Sequence, residues 1–551
     1  MAKTPLLSSL RSLWVDLHRS RHTGIPLDEL RGMRTLHRSQ APRPSRRQLL
    51  AGGAALAGAV ALPARARAGG GRGPSVGIVG GGIAGLNCAL TLADAGIDAT
   101  VYEASGRAGG RMFTNRDYFA AGQITEWGGE LIDSGHETVQ ALAARYDLPL
   151  DDLLAAQPEG SSDTYFVDGE YYSKAQADAD FAEIFETVVA DEASAPFPTL
   201  FDAFTPEAQV LDSMSVFDYI ESRVPGGHRS PLGQVLDLAY AIEYGADTTR
   251  QSALNILYLL AFQPSEDELA IFGESDEQFH IRGGNQRLPE AIANDLGERV
   301  SFGQRLTRIV QTSGGRYRLT FDRGGSSREV THDQVVLALP FAVLSEVDFS
   351  RAGFDALKRR AICEQGRGRS GKLQLQFERR RWLGEGPWPG ISNGSSYSDT
   401  GYQASWEATR AQRGREGVLV LFSGGSVTND MRSDRAFSTI QSSGVRRDAA
   451  RGLEQLAPVY PGLNFNGRAT QSLPHLSPLF RASYSFYEVG QYIAFAGYEK
   501  VRQGGVLFCG EHTSTDFQGF MEGGASEGAR AGEELLALLG ASARGARRSA
   551  G

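Results

Sequence analysis

SVGIVGGGIAGLNCALTLADAGIDATVYEASGRAGGR, Ser75 to Arg111, is the stretch from which the rest of the chain is read. Val76, Ile78 and Val79 make a short apolar run, the pattern of a buried parallel strand. Gly80, Gly82 and Gly85 follow as G-x-G-x-x-G. Leu86, Ala89, Leu90 and Ala93 then fall on one stripe, which predicts a helix stopped at Gly96. A second strand, Ala99 to Tyr102, ends on Glu103. The glycines allow a tight turn, close approach of backbone to a pyrophosphate, and close packing of helix on strand. The helix start offers unpaired N–H groups and partial positive charge to the phosphates. Glu103, 23 positions after Gly80, is placed to accept hydrogen bonds from ribose hydroxyls. Glycines alone are weak evidence. Strand, glycines, helix, strand and acid in this order predict a dinucleotide site.

The chain has 551 residues, enough for two or more domains. Its 41% hydrophobic and 22% charged residues are those of an ordinary soluble protein, and no apolar run is long enough to span a membrane. The net charge of −9 is uneven. Residues 1–68 hold 12 Lys and Arg against 3 Asp and Glu, which leaves the body strongly acidic. An acidic body argues against nucleic acid as a partner. Cys88, Cys363 and Cys509 show neither metal spacing nor a disulfide framework, so no metal site is expected.

Residues 1–68 read as an export segment. Ser45-Arg46-Arg47-Gln48-Leu49-Leu50 precedes an apolar run ending at Leu62, then Ala66-Arg67-Ala68. Basic region, short apolar region and small-x-small site are the parts of a signal peptide, and the paired arginines resemble a twin-arginine signal. The expected location is periplasmic or secreted, with export in the folded state. Residues 1–44, with Trp14, have no assigned role.

After the nucleotide unit, Arg107, Gly109, Gly110 and Arg111 extend the motif to E-A-x-x-R-x-G-G-R. Thr125-Glu126-Trp127-Gly128-Gly129-Glu130-Leu131-Ile132-Asp133-Ser134-Gly135-His136 follows. Here the chain resembles the flavin-containing amine oxidase family, which includes monoamine, polyamine and L-amino-acid oxidases. The resemblance implies an α/β fold: a Rossmann-like FAD-binding domain, related to that of glutathione reductase, with an interleaved α+β substrate-binding domain. The first would comprise 73–140, 275–340 and 475–540, the second 141–274 and 341–474, with a disordered tail at 541–551.

The resemblance also implies roles. Arg107 and Arg111 would lie near the FAD pyrophosphate and flavin, with Gly110 in the same turn. Gly128-Gly129 would pass close to the isoalloxazine ring, and the Leu306 backbone would meet the adenine. Val506 to Cys509 reads as a strand. Glu511 would contact the cofactor, and Gly519-Phe520-Met521 opens a helix through Leu538, with the Met521 backbone at the pyrimidine edge. A helix start there would stabilise negative charge on reduced flavin. Tyr484 and Phe520 match the family's aromatic cage. Ser483 stands where monoamine oxidases carry a flavin-linked cysteine, so FAD is expected to be non-covalent.

Val300 to Ile309, Arg316 to Phe321 and Glu329 to Leu339 read as strands, and residues 151–272 as mostly helical. Lys372-Leu373-Gln374-Leu375-Gln376-Phe377 alternates, with Lys372, Gln374 and Gln376 on one face. In the family a lysine so placed holds a water against flavin N5. Glu243, in Glu243-Tyr244-Gly245, and Glu130 are candidates to face substrate. His136 begins a helix or lines the cavity.

The implied reaction is two-electron oxidation of a C–N bond, then imine hydrolysis and reoxidation by oxygen to hydrogen peroxide. The expected substrate is an L-amino acid, giving the 2-oxo acid and ammonia. Primary amines or polyamines are one alternative; a dehydrogenase or desaturase with a non-oxygen acceptor is another. Leu131 occupies the position at which L-amino-acid oxidases commonly hold the substrate carboxylate with arginine. Either another arginine serves or the substrate lacks a carboxylate. The oligomeric state is left open, a homodimer included.

Overall fold

The computed structural model describes residues 74–263 and 268–549. Residues 1–68, on which the reading of an export segment falls, lie outside them. A five-stranded, wholly parallel sheet runs in the order Val506–Phe508, Gln334–Leu337, Val76–Val79, Ala99–Tyr102, Val300–Ser301. Its strands come from three separated stretches of chain. Val76, Ile78, Val101, Val336 and Leu507 are buried, which is why these strands read as continuous apolar runs. The helix Ile83–Asp94 covers one face and packs on the long C-terminal helix Met521–Ser549. Small residues permit the contact: a Cβ on Gly528 would stand 2.2 Å from the Ala84 carbonyl oxygen, and one on Gly532 2.8 Å from Thr91 Cβ.

A second sheet has nine strands, in the order Phe437–Thr439, Phe465–Ser472, Ser370–Phe377, Gly417–Gly424, Ala404–Glu407, Ile391–Ser398, Ser162–Val167, Glu170–Tyr172, with Leu383–Glu385 beside Ile391–Ser398. The alternation in Ser370–Phe377 has a physical basis on both faces. Leu373, Leu375 and Phe377 pack with Leu419, Leu421, Val445 and Leu456, each such side chain contributing roughly 1.5–3 kcal/mol on burial. On the other face the Gln374 carboxamide accepts from Thr125 (2.6 Å) and Thr470 (2.8 Å) and donates to the Glu126 carbonyl (2.8 Å). The polar face therefore carries the hydrogen bonds that attach this sheet to the segment before Gly128.

Several boundaries differ from the sequence reading. Val300 to Ile309 is two strands: Val300–Ser301 ends the parallel sheet, and Arg305–Gln311 joins a four-stranded sheet with Tyr317–Asp322, Ser327–His332 and Asp348–Arg351. The break is stabilised because Glu103 O accepts the Gln304 N–H at 2.8 Å. Glu329 to Leu339 likewise divides at Asp333, whose carboxylate accepts from Ser75 N (2.8 Å) and Ser75 Oγ (2.7 Å). Asp348–Arg351 lies beyond residue 340 yet pairs with Arg305–Gln311. Residues 151–272 are not all helical, since Ser162–Val167 and Glu170–Tyr172 extend the nine-stranded sheet. The last helix does not stop at Leu538, and 541–549 continue it. No helix among the described residues is long and apolar enough to cross a membrane.

Candidate active site

A cavity of about 550 Å³ is lined by Gly80, Gly82, Glu103 and Leu306, by Arg111, Gly128 and Gly129, and by Gly519, Phe520 and Met521. At the first turn, Gly85 has no room for a side chain: a Cβ would lie 2.0 Å from Gly80 O. Gly82 is the opposite case, with nothing within 4 Å of a Cβ, so open space lies above the turn. Gly82 N-caps the helix Ile83–Asp94, whose first N–H groups have no partner within the helix. Glu103 Oε2 accepts from Gly81 N at 2.7 Å, and Oε1 from Ser105 N and Oγ at 2.7 Å.

The separated glycine turns meet directly. Gly129 N donates to Arg111 O at 3.0 Å, and a Cβ on Gly128 would fall 1.9 Å from that oxygen. A Cβ on Gly129 would press on Met521 Sδ at 2.8 Å. Arg111 donates to Ser483 O and Glu511 Oε1, each at 2.8 Å. Glu511 Oε2 accepts from Ser485 Oγ (2.8 Å) and Gly519 N (2.9 Å). Burial would raise the Glu511 carboxyl, but Arg111, His512 and these hydrogen bonds outweigh it and hold it below its ordinary value. Glu511 is thus a fixed anion that ties the Arg111 segment to the turn before the last helix.

Arg107 differs from its expected place. It is absent from the cavity wall: its guanidinium lies 3.9 Å from the Phe113 ring centroid and donates to Gly110 O (2.6 Å) and Ala108 O (3.2 Å). It braces the Gly109-Gly110 turn. Gly110 itself lines the cavity.

Lys372 Nζ donates to Gly128 O (2.8 Å) and Glu130 Oε2 (2.6 Å), and Trp406 Nε1 donates to Glu130 Oε1 (2.9 Å). The lysine is therefore held beside the glycine turn by a buried carboxylate. Tyr484 is fixed as firmly, donating to Ile242 O (2.7 Å) and accepting from Ser370 Oγ (2.9 Å). Burial keeps its phenol above the ordinary range and so neutral. Phe520 stands edge-on to His136, with centroids 5.1 Å apart. His136 is structural: Nδ1 accepts from Asp133 N at 2.9 Å, and burial lowers the ring to about 3. Glu243 lines the cavity near the end of the helix Pro231–Tyr244, which closes at Gly245.

One row across the nine-stranded sheet makes a wall of the cavity. Ser472, Lys372, Phe422, Ala404, Tyr397 and Tyr165 are successive cross-strand partners, and all six line it. Asp163, Glu277, Ser395, Trp406 and Arg410 join them. Apart from Lys372, these residues escape sequence reasoning, because each sits in a strand or loop with no distinctive spacing.

The family model for flavin-containing amine oxidoreductases matches residues 83–536. The chain belongs to that family. Nicotine dehydrogenase of Pseudomonas putida is 26% identical over 472 residues, covering 84% of this chain and 88% of the relative. An L-amino acid dehydrogenase of Synechocystis is 24% identical, covering 62% and 76%. Among solved structures, cyclohexylamine oxidase of Brevibacterium oxydans superposes with a TM-score of 0.69 at 19% identity, over 85% of this chain and all (100%) of that one. That last likeness is one of fold.

The cofactor of this flavoenzyme is FAD, and the residues present fit it. Open space above Gly82 suits a pyrophosphate. The His512 ring, at the cavity wall, is buried with neither nitrogen hydrogen-bonded among the described residues. A polar group so placed calls for a partner, which a bound cofactor would supply. Gly82, Glu103 and Arg111 would hold the dinucleotide, and Gly128, Gly129, Gly519 and Met521 the flavin.

Proposed function

We propose that this flavoenzyme oxidises an L-amino acid to the 2-oxo acid and ammonia and passes the electrons to oxygen. Arg410 carries the reading. It lines the cavity, donates from its guanidinium to Ser395 Oγ at 2.6 Å, and has a buried Nε–H without a partner among the described residues. A half-buried guanidinium whose buried Nε–H is unused suits a carboxylate. It supplies the arginine that Leu131 does not.

Bound FAD supplies the two-electron acceptor for the substrate C–N bond. The protein's part is orientation and proton control. Tyr484 and Phe520 offer aromatic surface to the substrate nitrogen. Apolar burial favours its neutral form, the one able to release electrons. Of the three Lys372 N–H donors, two are used by Gly128 and Glu130, and the third serves a water at the flavin face. Ser483 has no thiol, so the flavin is held non-covalently.

Peroxide formation over a panel of L-amino acids and the corresponding decarboxylated amines tests this reading. Turnover of amino acids, weakened at least tenfold in kcat/KM by Arg410→Met, is expected. Preference for the amines would refute the carboxylate assignment. Flavin reduction without peroxide would refute the oxygen acceptor. The paired arginines at 46 and 47 support a further proposal, export by a twin-arginine route; exchanging both for lysine should leave the protein in the cytoplasm.

A further inference from the structure

We propose that Glu277, seconded by Asp163, selects substrates bearing a second cationic group, so that the favoured amino acid has a basic side chain. This rests on the amino-acid reading above and names the substrate class within it.

Glu277 lines the cavity at the end of a short loop whose geometry is enforced. Its φ is +48°, in the left-handed region that residues other than Gly rarely adopt. Asp133 holds it there: Oδ1 accepts the Glu277 N–H at 3.1 Å and Oδ2 accepts Ser275 Oγ at 2.8 Å. The neighbouring Asp276 Oδ1 accepts Ser134 N at 2.8 Å. Asp133 is itself almost fully buried, so the loop has no easy alternative seat.

The carboxylate so presented has no hydrogen-bond donor among the described residues. The other acids nearby are engaged. Glu130 accepts from Lys372 and Trp406, and Asp163 Oδ1 accepts from Asn393 at 2.9 Å. The charged groups acting on Glu277 are Arg410, which attracts, and Asp163 and Glu130, which repel; Asp133 beneath it feels the same repulsion from Glu277. Lys372 already offsets Glu130, which leaves two carboxylates against the one guanidinium of Arg410. A half-buried, undonated carboxylate in a substrate cavity, with a second acid in range, is complementary to an ammonium or guanidinium. The distinction from Arg410 is chemical: one residue suits the substrate's carboxylate, the other its distal cation.

Four probes separate the two halves of the claim: L-lysine, L-norleucine, which lacks the ε-amino group, cadaverine, the decarboxylated form of L-lysine, and n-hexylamine, which has neither the carboxylate nor the second amine. Binding is read by perturbation of the flavin spectrum of the FAD-loaded full chain without oxygen, and turnover by flavin reduction. L-Lysine should exceed L-norleucine by about 10–100-fold in kcat/KM, the range for a hydrogen bond to a charged group. Glu277→Gln should bring that ratio below about threefold, the loss falling on KM for L-lysine, and Glu277→Asp should restore part of it. Asp163→Asn should move the ratio in the same direction by less. Cadaverine bound better than L-lysine, yet lost in Glu277→Gln, would uphold the cation site and overturn the amino-acid reading. Equal use of L-lysine and L-norleucine, a ratio unchanged in Glu277→Gln, or no spectral response to any probe would overturn the proposal.

Discussion

Replacing Lys372 by Met keeps the length of the side chain and removes its charge. In the folded protein Glu130 then retains the Trp406 donor at 2.9 Å and loses the ammonium at 2.6 Å. Gly128 O loses its partner as well. The side chains are nearly closed to solvent, at 11% and 7% exposure, so bulk water does not replace the missing charge. Breaking a buried pair from one side costs about 3–5 kcal/mol. Some 470 folded residues at about 2.1 cal/mol/K each give an unfolding entropy near 1 kcal/mol/K, so Tm should fall by about 3–5 °C. In Lys372→Met/Glu130→Gln the stranded charge is gone and the Trp406 donor still has an oxygen to reach. More than half of the lost Tm should return. Thermal unfolding of the FAD-loaded proteins, followed by circular dichroism, measures both. Stopped-flow mixing of the reduced enzyme with oxygen should show slow reoxidation in both variants, since neither has the ammonium. A single variant within 1 °C of wild type, or a double variant no more stable than the single, would refute the pairing.

Gly85→Ala would place a methyl group 2.0 Å from Gly80 O, a backbone atom that cannot swing aside, so purified protein should lose at least half of its flavin-to-protein absorbance ratio. Acid precipitation should release all the yellow colour into the supernatant, because Ser483 offers no thioether. Burial pushes the Glu277 carboxyl up to about 7, with Arg410 opposing and Asp163 and Glu130 assisting, and Asp133 below it is also raised, to about 8. For binding, the carboxylate form increases with pH, so KM for a basic substrate should fall as pH rises through about 7, and Glu277→Gln should flatten that limb. For stability the sign is opposite: a raised folded value gives a contribution complete below the ordinary carboxyl range and lost as pH climbs through about 7. The fall of Tm between pH 5 and 7 should therefore be shallower in Glu277→Gln.

The nucleotide half of the molecule was legible because its chemistry is local. Gly80, Gly82, Gly85 and Glu103 lie within 24 residues, and each is selected by backbone geometry. Lys372 was legible through alternation, since a strand facing leucines on one side and a hydrogen-bonded seam on the other writes period two into the chain. Boundaries were read less well where two sheets share one apolar run. At Asp333 the side chain bonds to Ser75 and the strand changes sheets, which residue type alone does not announce. Arg107 misleads because an arginine beside a phosphate loop suggests the ligand, whereas stacking on Phe113 and bonds to three carbonyls, of Ala108, Gly110 and Met112, give it a local task. Glu277, Arg410 and Asp163 come together only through tertiary folding. Asp133 was visible within a quoted motif, but its partners lie 142 and 144 positions away.

The cross-strand row from Ser472 to Tyr165 has a consequence for how such an enzyme diversifies. Adjacent members stand on neighbouring strands, about 4.7–4.9 Å apart. The row is therefore a graduated scale laid along the pocket. Enlarging Ala404 shortens the pocket at one mark, and trimming Phe422 or Tyr397 deepens it at another. Main-chain ladder bonds are untouched by either change, and the glycine turns belong to separate segments. Substrate length can drift under selection while the redox machinery stays where it is.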